Sequence, residues 1–98
     1  MIIDVRNING ITDFSEKEEK DYTVFEVDNK AFLILRKNTI EVRTDSKLKD
    51  LLIERYESVM ESRYFGRGGI EIVLHGQLSG EEINDLIRLS YDLSKSAN

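Results

Sequence analysis

Between Tyr22 and Arg43 the apolar residues fall at strand spacing, in runs separated by two-residue breaks. Tyr22 to Val27 is rich in β-branched and aromatic residues, which suit a pleated surface. Asp28-Asn29 then supplies two residue types that tolerate the left-handed backbone of a tight hairpin. Ala31 to Arg36 is almost continuously apolar, as a central strand is, and Lys37-Asn38 forms a second turn before Thr39 to Arg43. Strands joined by turns this short predict an antiparallel meander. Plain alternation puts Lys30, Phe32, Ile34 and Arg36 on one face, with Ala31, Leu33 and Leu35 on the other.

The period then changes. Asp45 or Ser46 caps a predicted helix whose Leu48, Leu51, Leu52, Tyr56 and Val59 share a face. Glu61 to Gly69 reads as a loop with three glycines, and Ile70 to Leu74 as a strand added to the meander. Ser79 followed by Glu82 predicts a capping box, with Leu78 stapled onto Ile83. The helix it starts carries Ile83, Leu86, Ile87, Ser90 and Tyr91 on one stripe. Ser15 to Asp21 reads as a solvated charged loop, and Met1 to Ile11 fits either a strand or a helical turn. The expected fold is α+β: one domain over residues 1–98, a two-layer sandwich in which helices cover one face of an antiparallel sheet. That sheet is expected to be a three-strand meander plus one later strand.

Composition removes several functions. Without cysteine there is no disulfide, no thiolate nucleophile and no thiolate metal site. No apolar run approaches the roughly 18 residues that a membrane span needs. The first residues also lack the pattern of a signal peptide, so a cytoplasmic protein without membrane contact is expected. The net charge of −5 is unevenly placed. Residues 1–29 hold eight acids and three bases, residues 30–43 four bases and one acid, and residues 44–98 ten acids and seven bases. Only the middle segment would attract a polyanion.

Three stretches resemble the MmcQ/YjbR family of small proteins. They are Val24 to Phe32, the leucine-rich helix Leu48 to Tyr56 with Val59, and Leu78 to Asp92, which holds the serine-tyrosine pair Ser90-Tyr91. The likeness spans roughly residues 22–95. It implies a frataxin-like (CyaY-like) fold, and it brings a DNA-binding "double wing" role attached to that family by analogy.

No constellation supports catalysis, so an enzyme is not expected. His75 is the only histidine and stands at a predicted turn, and no serine sits in a nucleophile elbow. Gly66-Arg67-Gly68-Gly69 leads into a strand, whereas a phosphate cradle leads into a helix. Glu16, Glu18, Glu19 and Asp21 are interrupted by Lys17 and Lys20, and read as a solvated run rather than a metal patch. No cofactor and no metal are expected. Two surfaces are candidates for binding. Lys30, Arg36, Lys37 and Arg43 form a basic hairpin that would contact DNA if it acts as a wing, although the net charge opposes this. Arg63, Tyr64, Phe65 and Arg67 combine the residue types enriched at protein interfaces. The leading expectation is a small non-enzymatic interaction module, taking a protein partner or a second copy of itself. The alternative is nucleic-acid binding through Lys30–Arg43.

Overall fold

A computed structural model describes residues 3–95. Six antiparallel strands form one sheet: β1 (Ser15–Glu18), β2 (Thr23–Val27), β3 (Lys30–Leu35), β4 (Thr39–Arg43), β5 (Val59–Ser62) and β6 (Gly66–Val73). Their spatial order is β1-β2-β3-β4-β6-β5. Helix α1 (Ser46–Arg55) follows β4, and α2 (Gly80–Ser94) follows β6. The sheet is therefore not a three-strand meander with one later strand. Two strands lie outside that expectation, and each has a physical reason for being hidden. All four residues of β1 are exposed, so only its pairing with β2 defines it, and no burial pattern marks it in the sequence. Strand β5 pairs with β6 across the segment expected to be a loop, because Gly66 (φ 60°) closes a hairpin there.

Asp28 and Asn29 both adopt positive φ, as the β2–β3 turn requires. Strand β3 then departs from plain alternation. Phe25 is opposite Leu33 and Glu26 opposite Ala31, which leaves Phe32 as the extra residue of a β-bulge. Phe32 and Leu33 both join the large core, while Ala31 and Ile34 join a small cluster with Val24. The expected grouping of Lys30, Phe32, Ile34 and Arg36 on one face is overturned by that single inserted residue.

The large core includes Phe25, Leu33, Ile40, Val42, Ile70 and Ile72 from the sheet and Ile83, Leu86, Ile87 and Tyr91 from α2. Leu48 and Leu52 of α1 pack against the same cluster, so both helices cover one face. On α1 the apolar stripe is narrower than expected, because Leu51 is exposed and Lys49 is buried. The Lys49 ammonium donates to the Glu61 carboxylate and to the Arg67 carbonyl.

Two hydroxyls of α2 tie this layer down. Ser90 Oγ accepts from the Arg43 amide at 2.8 Å and donates to the Phe32 carbonyl at 2.5 Å, bridging β3 and β4 just beyond their Leu33–Val42 pair. Tyr91 Oη donates to the Asp13 carbonyl at 2.9 Å and accepts from the Asp13 amide at 3.2 Å. It thereby holds the segment that follows a 3₁₀ turn at Val5–Asn7, whose neighbours Ile8 and Ile11 are buried. Met1 and Ile2, part of the stretch expected to be a strand or helical turn, lie outside the described residues.

Candidate functional site

The face of the sheet away from the helices carries charge at its centre. Glu41 of β4 and Glu71 of β6 are direct cross-strand partners, and their residues are 0% and 3% exposed. Like charges placed opposite each other on a sheet are destabilising unless neutralised, and here each carboxylate has its own arginine. Arg36 Nε donates to Glu41 Oε2 at 2.6 Å. Arg63 donates to Glu71 through Nε (3.0 Å) and Nη2 (2.7 Å), a two-point contact that a lysine could not make.

Neutral donors complete the two sites. Ser62 Oγ and the Tyr64 amide donate to Glu41 Oε1 at 2.7 and 2.8 Å, and Thr39 Oγ1 donates to Glu71 Oε2 at 2.8 Å. The Arg63 hydrogen bond is the main reason the Glu71 carboxyl lies below the usual carboxylate range, with burial acting in the opposite direction. The same bond raises the Arg63 guanidinium. Every carboxylate oxygen of the pair thus receives at least one donor.

Aromatic residues frame the network. The β5–β6 turn folds across the open face, held by the bond from the Phe65 amide to Ser62 Oγ. Gly69 makes room for it, since a Cβ there would lie 2.8 Å from Phe65 Cβ and 2.4 Å from the Val42 carbonyl oxygen. Tyr64 contacts both Phe65 (5.0 Å between centroids) and Tyr22 (6.2 Å). The Arg36 guanidinium lies 4.8 Å over the Tyr22 ring, and that of Arg43 lies 4.8 Å over Phe65.

The two surfaces expected from the sequence are redistributed by this geometry. Arg36, Arg43, Arg63, Tyr64 and Phe65 converge on the open face. Arg43 is only half-buried, yet its Nε is committed to the Ala31 carbonyl at 2.7 Å. Lys37 is exposed at the β3–β4 turn, and Arg67 is exposed on β6, with its carbonyl receiving Lys49. Lys30 stands apart, opposite Val27 of the covered-face core at the far end of the hairpin. Four hairpin bases on one surface, as a wing would present them, is not the arrangement found. Sequence reasoning missed Glu41 and Glu71. The signal was the repeated pattern Ile40-Glu41-Val42 and Ile70-Glu71-Ile72, an acid centred in each of two apolar strands.

A family model described as YjbR matches residues 10–93. The chain belongs to the YjbR family. A crystal structure of a Pseudomonas syringae protein, determined by a structural-genomics consortium, resembles this YjbR-family chain with a TM-score of 0.71. It is 20% identical, and the match covers 83% of this chain and 86% of that one, a likeness that shows the fold alone. No curated protein matches the chain. The frataxin-like affinity rests on the sequence resemblance, and neither comparison carries it. Among the described residues no helix is long and apolar enough to cross a membrane, and no group of three or more His, Asp or Glu could hold a metal ion.

Proposed function

We propose that the protein is a non-enzymatic binding module, acting in the cytoplasm, that contacts a protein partner through the open face of its sheet. The observation that carries this reading is the placement of Tyr22, Tyr64, Arg36 and Arg63 together on the one sheet face the helices leave uncovered. Tyrosine and arginine dominate interface energetics, because each offers a large contact area and a polar tip. Here the arginines are already held by buried carboxylates, so less side-chain freedom is lost on binding. The buried glutamates support a non-catalytic reading, since their oxygens are occupied by arginine, serine, threonine and backbone donors.

Nucleic-acid binding through Lys30, Arg36, Lys37 and Arg43 is the weaker reading. Two of those four bases are spent on internal bonds, and Lys30 lies away from the others.

The test compares capture of binding proteins by the wild type, by Tyr64→Asp on the open face and by Leu89→Glu on the exposed side of α2. We expect one set of partners to be retained by the wild type and Leu89→Glu and lost by Tyr64→Asp. Retention by Tyr64→Asp with loss in Leu89→Glu would move the interface to the helix layer and overturn the proposal.

A further inference from the structure

At the β3–β4 end of the open face lies a groove of roughly 540 Å³, lined by Asp21, Arg36, Lys37, Asn38, Thr39 and Arg63. Three cations face one acid there, on a chain whose net charge is −5. Arg36 and Arg63 are pinned rather than mobile. Arg36 spends Nε on Glu41, and Arg63 spends Nε and Nη2 on Glu71. A guanidinium carries five N–H donors in a fixed fork. Each therefore keeps N–H donors beyond those bonds, and Lys37 beside them is exposed.

We infer that this groove seats an aspartate or glutamate carboxylate from an acidic segment of a partner protein. The inference rests on the open-face reading above and names the chemistry of what that face receives.

Two features favour a carboxylate over a phosphate backbone. Glu41 and Glu71 lie directly behind the arginines and cancel their charge at a distance, so the groove projects little of the long-range field that a polyanion needs. At hydrogen-bond range the oriented N–H donors remain, and a guanidinium fork matches a planar carboxylate. The Tyr22–Tyr64 pair beside the groove adds an apolar wall for the side chain next to the acid.

The experiment is fluorescence anisotropy with a labelled peptide of about eight residues alternating glutamate and leucine, its glutamine counterpart, and a short DNA duplex, a length enough to span one such groove. Wild-type protein should bind the glutamate peptide about tenfold more tightly than the glutamine one, as expected when a charge-assisted contact becomes a neutral one. Lys37→Glu should weaken the glutamate peptide by about tenfold or more through like-charge repulsion. Its thermal midpoint should be unchanged, since Lys37 is exposed. Failure of the glutamate peptide to bind, equal affinity for both peptides, or indifference to Lys37→Glu would each overturn the inference. Tighter binding of the duplex would overturn it in favour of nucleic acid. Partner capture that is lost in Tyr64→Asp but kept in Lys37→Glu would sink this inference while leaving the open-face reading in place.

Discussion

The two faces of one sheet are solved by different chemistry. Under the helices, Ile40, Val42, Ile70 and Ile72 are fully buried, and the Ser90 and Tyr91 hydroxyls of α2 are bonded to the backbone. On the opposite side, the residues between them are Glu41 and Glu71, buried just as deeply but held by arginines that reach the surface. An apolar face loses stability in proportion to the atoms removed. An ionic face behaves otherwise, because removing one partner strands a charge while removing both can cost little. The same strands therefore carry a layer that specifies packing and a layer that fixes the orientation of surface arginines.

The contrast is sharpest at Arg36. Its side chain is 17% exposed, whereas that of Glu41 is fully buried. Arg36→Ala should destabilise the fold by about 3–5 kcal/mol, the usual cost of leaving one member of a buried pair uncompensated. Arg36→Met combined with Glu41→Leu should recover most of that loss, measured by denaturant unfolding. If the double variant is no more stable than Arg36→Ala, the hydrogen bonds from Ser62 and Tyr64 matter more than the charge pair.

On the covered face the matching change is Ser90→Ala. It orphans the Arg43 amide and the Phe32 carbonyl together, at about 1–3 kcal/mol for each buried group left unsatisfied. Unlike the ionic pair, no apolar replacement should restore the loss, because the hydroxyl serves fixed backbone groups. A near-neutral Ser90→Ala would mean that the Arg43 amide and the Phe32 carbonyl find other partners.

The smallest effect is a change in acid sensitivity. The Glu71 carboxyl is lowered in the folded state, mainly by its bond to Arg63. Its contribution is therefore complete above the ordinary carboxylate range and is lost as the pH falls through that range towards the lower folded-state value. Arg63→Gln should make the acid limb of a stability–pH curve shallower, and should lower stability at neutral pH by less than Arg36→Ala does, because the Arg63 side chain is 64% exposed. An unchanged limb would assign the acid sensitivity to other carboxylates.

Much of the covered face was legible because it follows periodic rules. The Ser79–Glu82 capping box is present in both directions, with Glu82 N bonded to Ser79 Oγ at 3.1 Å and Ser79 N to Glu82 Oε1 at 3.0 Å. The α2 stripe of Ile83, Leu86, Ile87, Ser90 and Tyr91 is buried as its spacing predicts. The open face was legible only in pieces. In the sequence Arg36 and Arg43 group with Lys30 while Arg63 to Arg67 stand apart, because nothing local reveals that β4 lies beside β6. The bulge at Phe32 has no signature either, since its neighbours are apolar on both sides. Strand β1 escaped for the opposite reason, being Ser-Glu-Lys-Glu with nothing to bury.

The Ser90 bridge also bears on the order in which the chain can be assembled. The amide of Arg43 obtains its acceptor from a residue 47 positions later, and the Phe32 carbonyl obtains its donor from one 58 positions later. The adjacent Tyr91 hydroxyl reaches back 78 positions to Asp13. During synthesis the β2–β4 meander emerges long before these groups exist, and until α2 docks it holds two open backbone groups where β3 and β4 part. Contacts of such long sequence separation raise the loop-closure cost of the folding transition state. Docking of α2 thus completes the sheet as well as covering it.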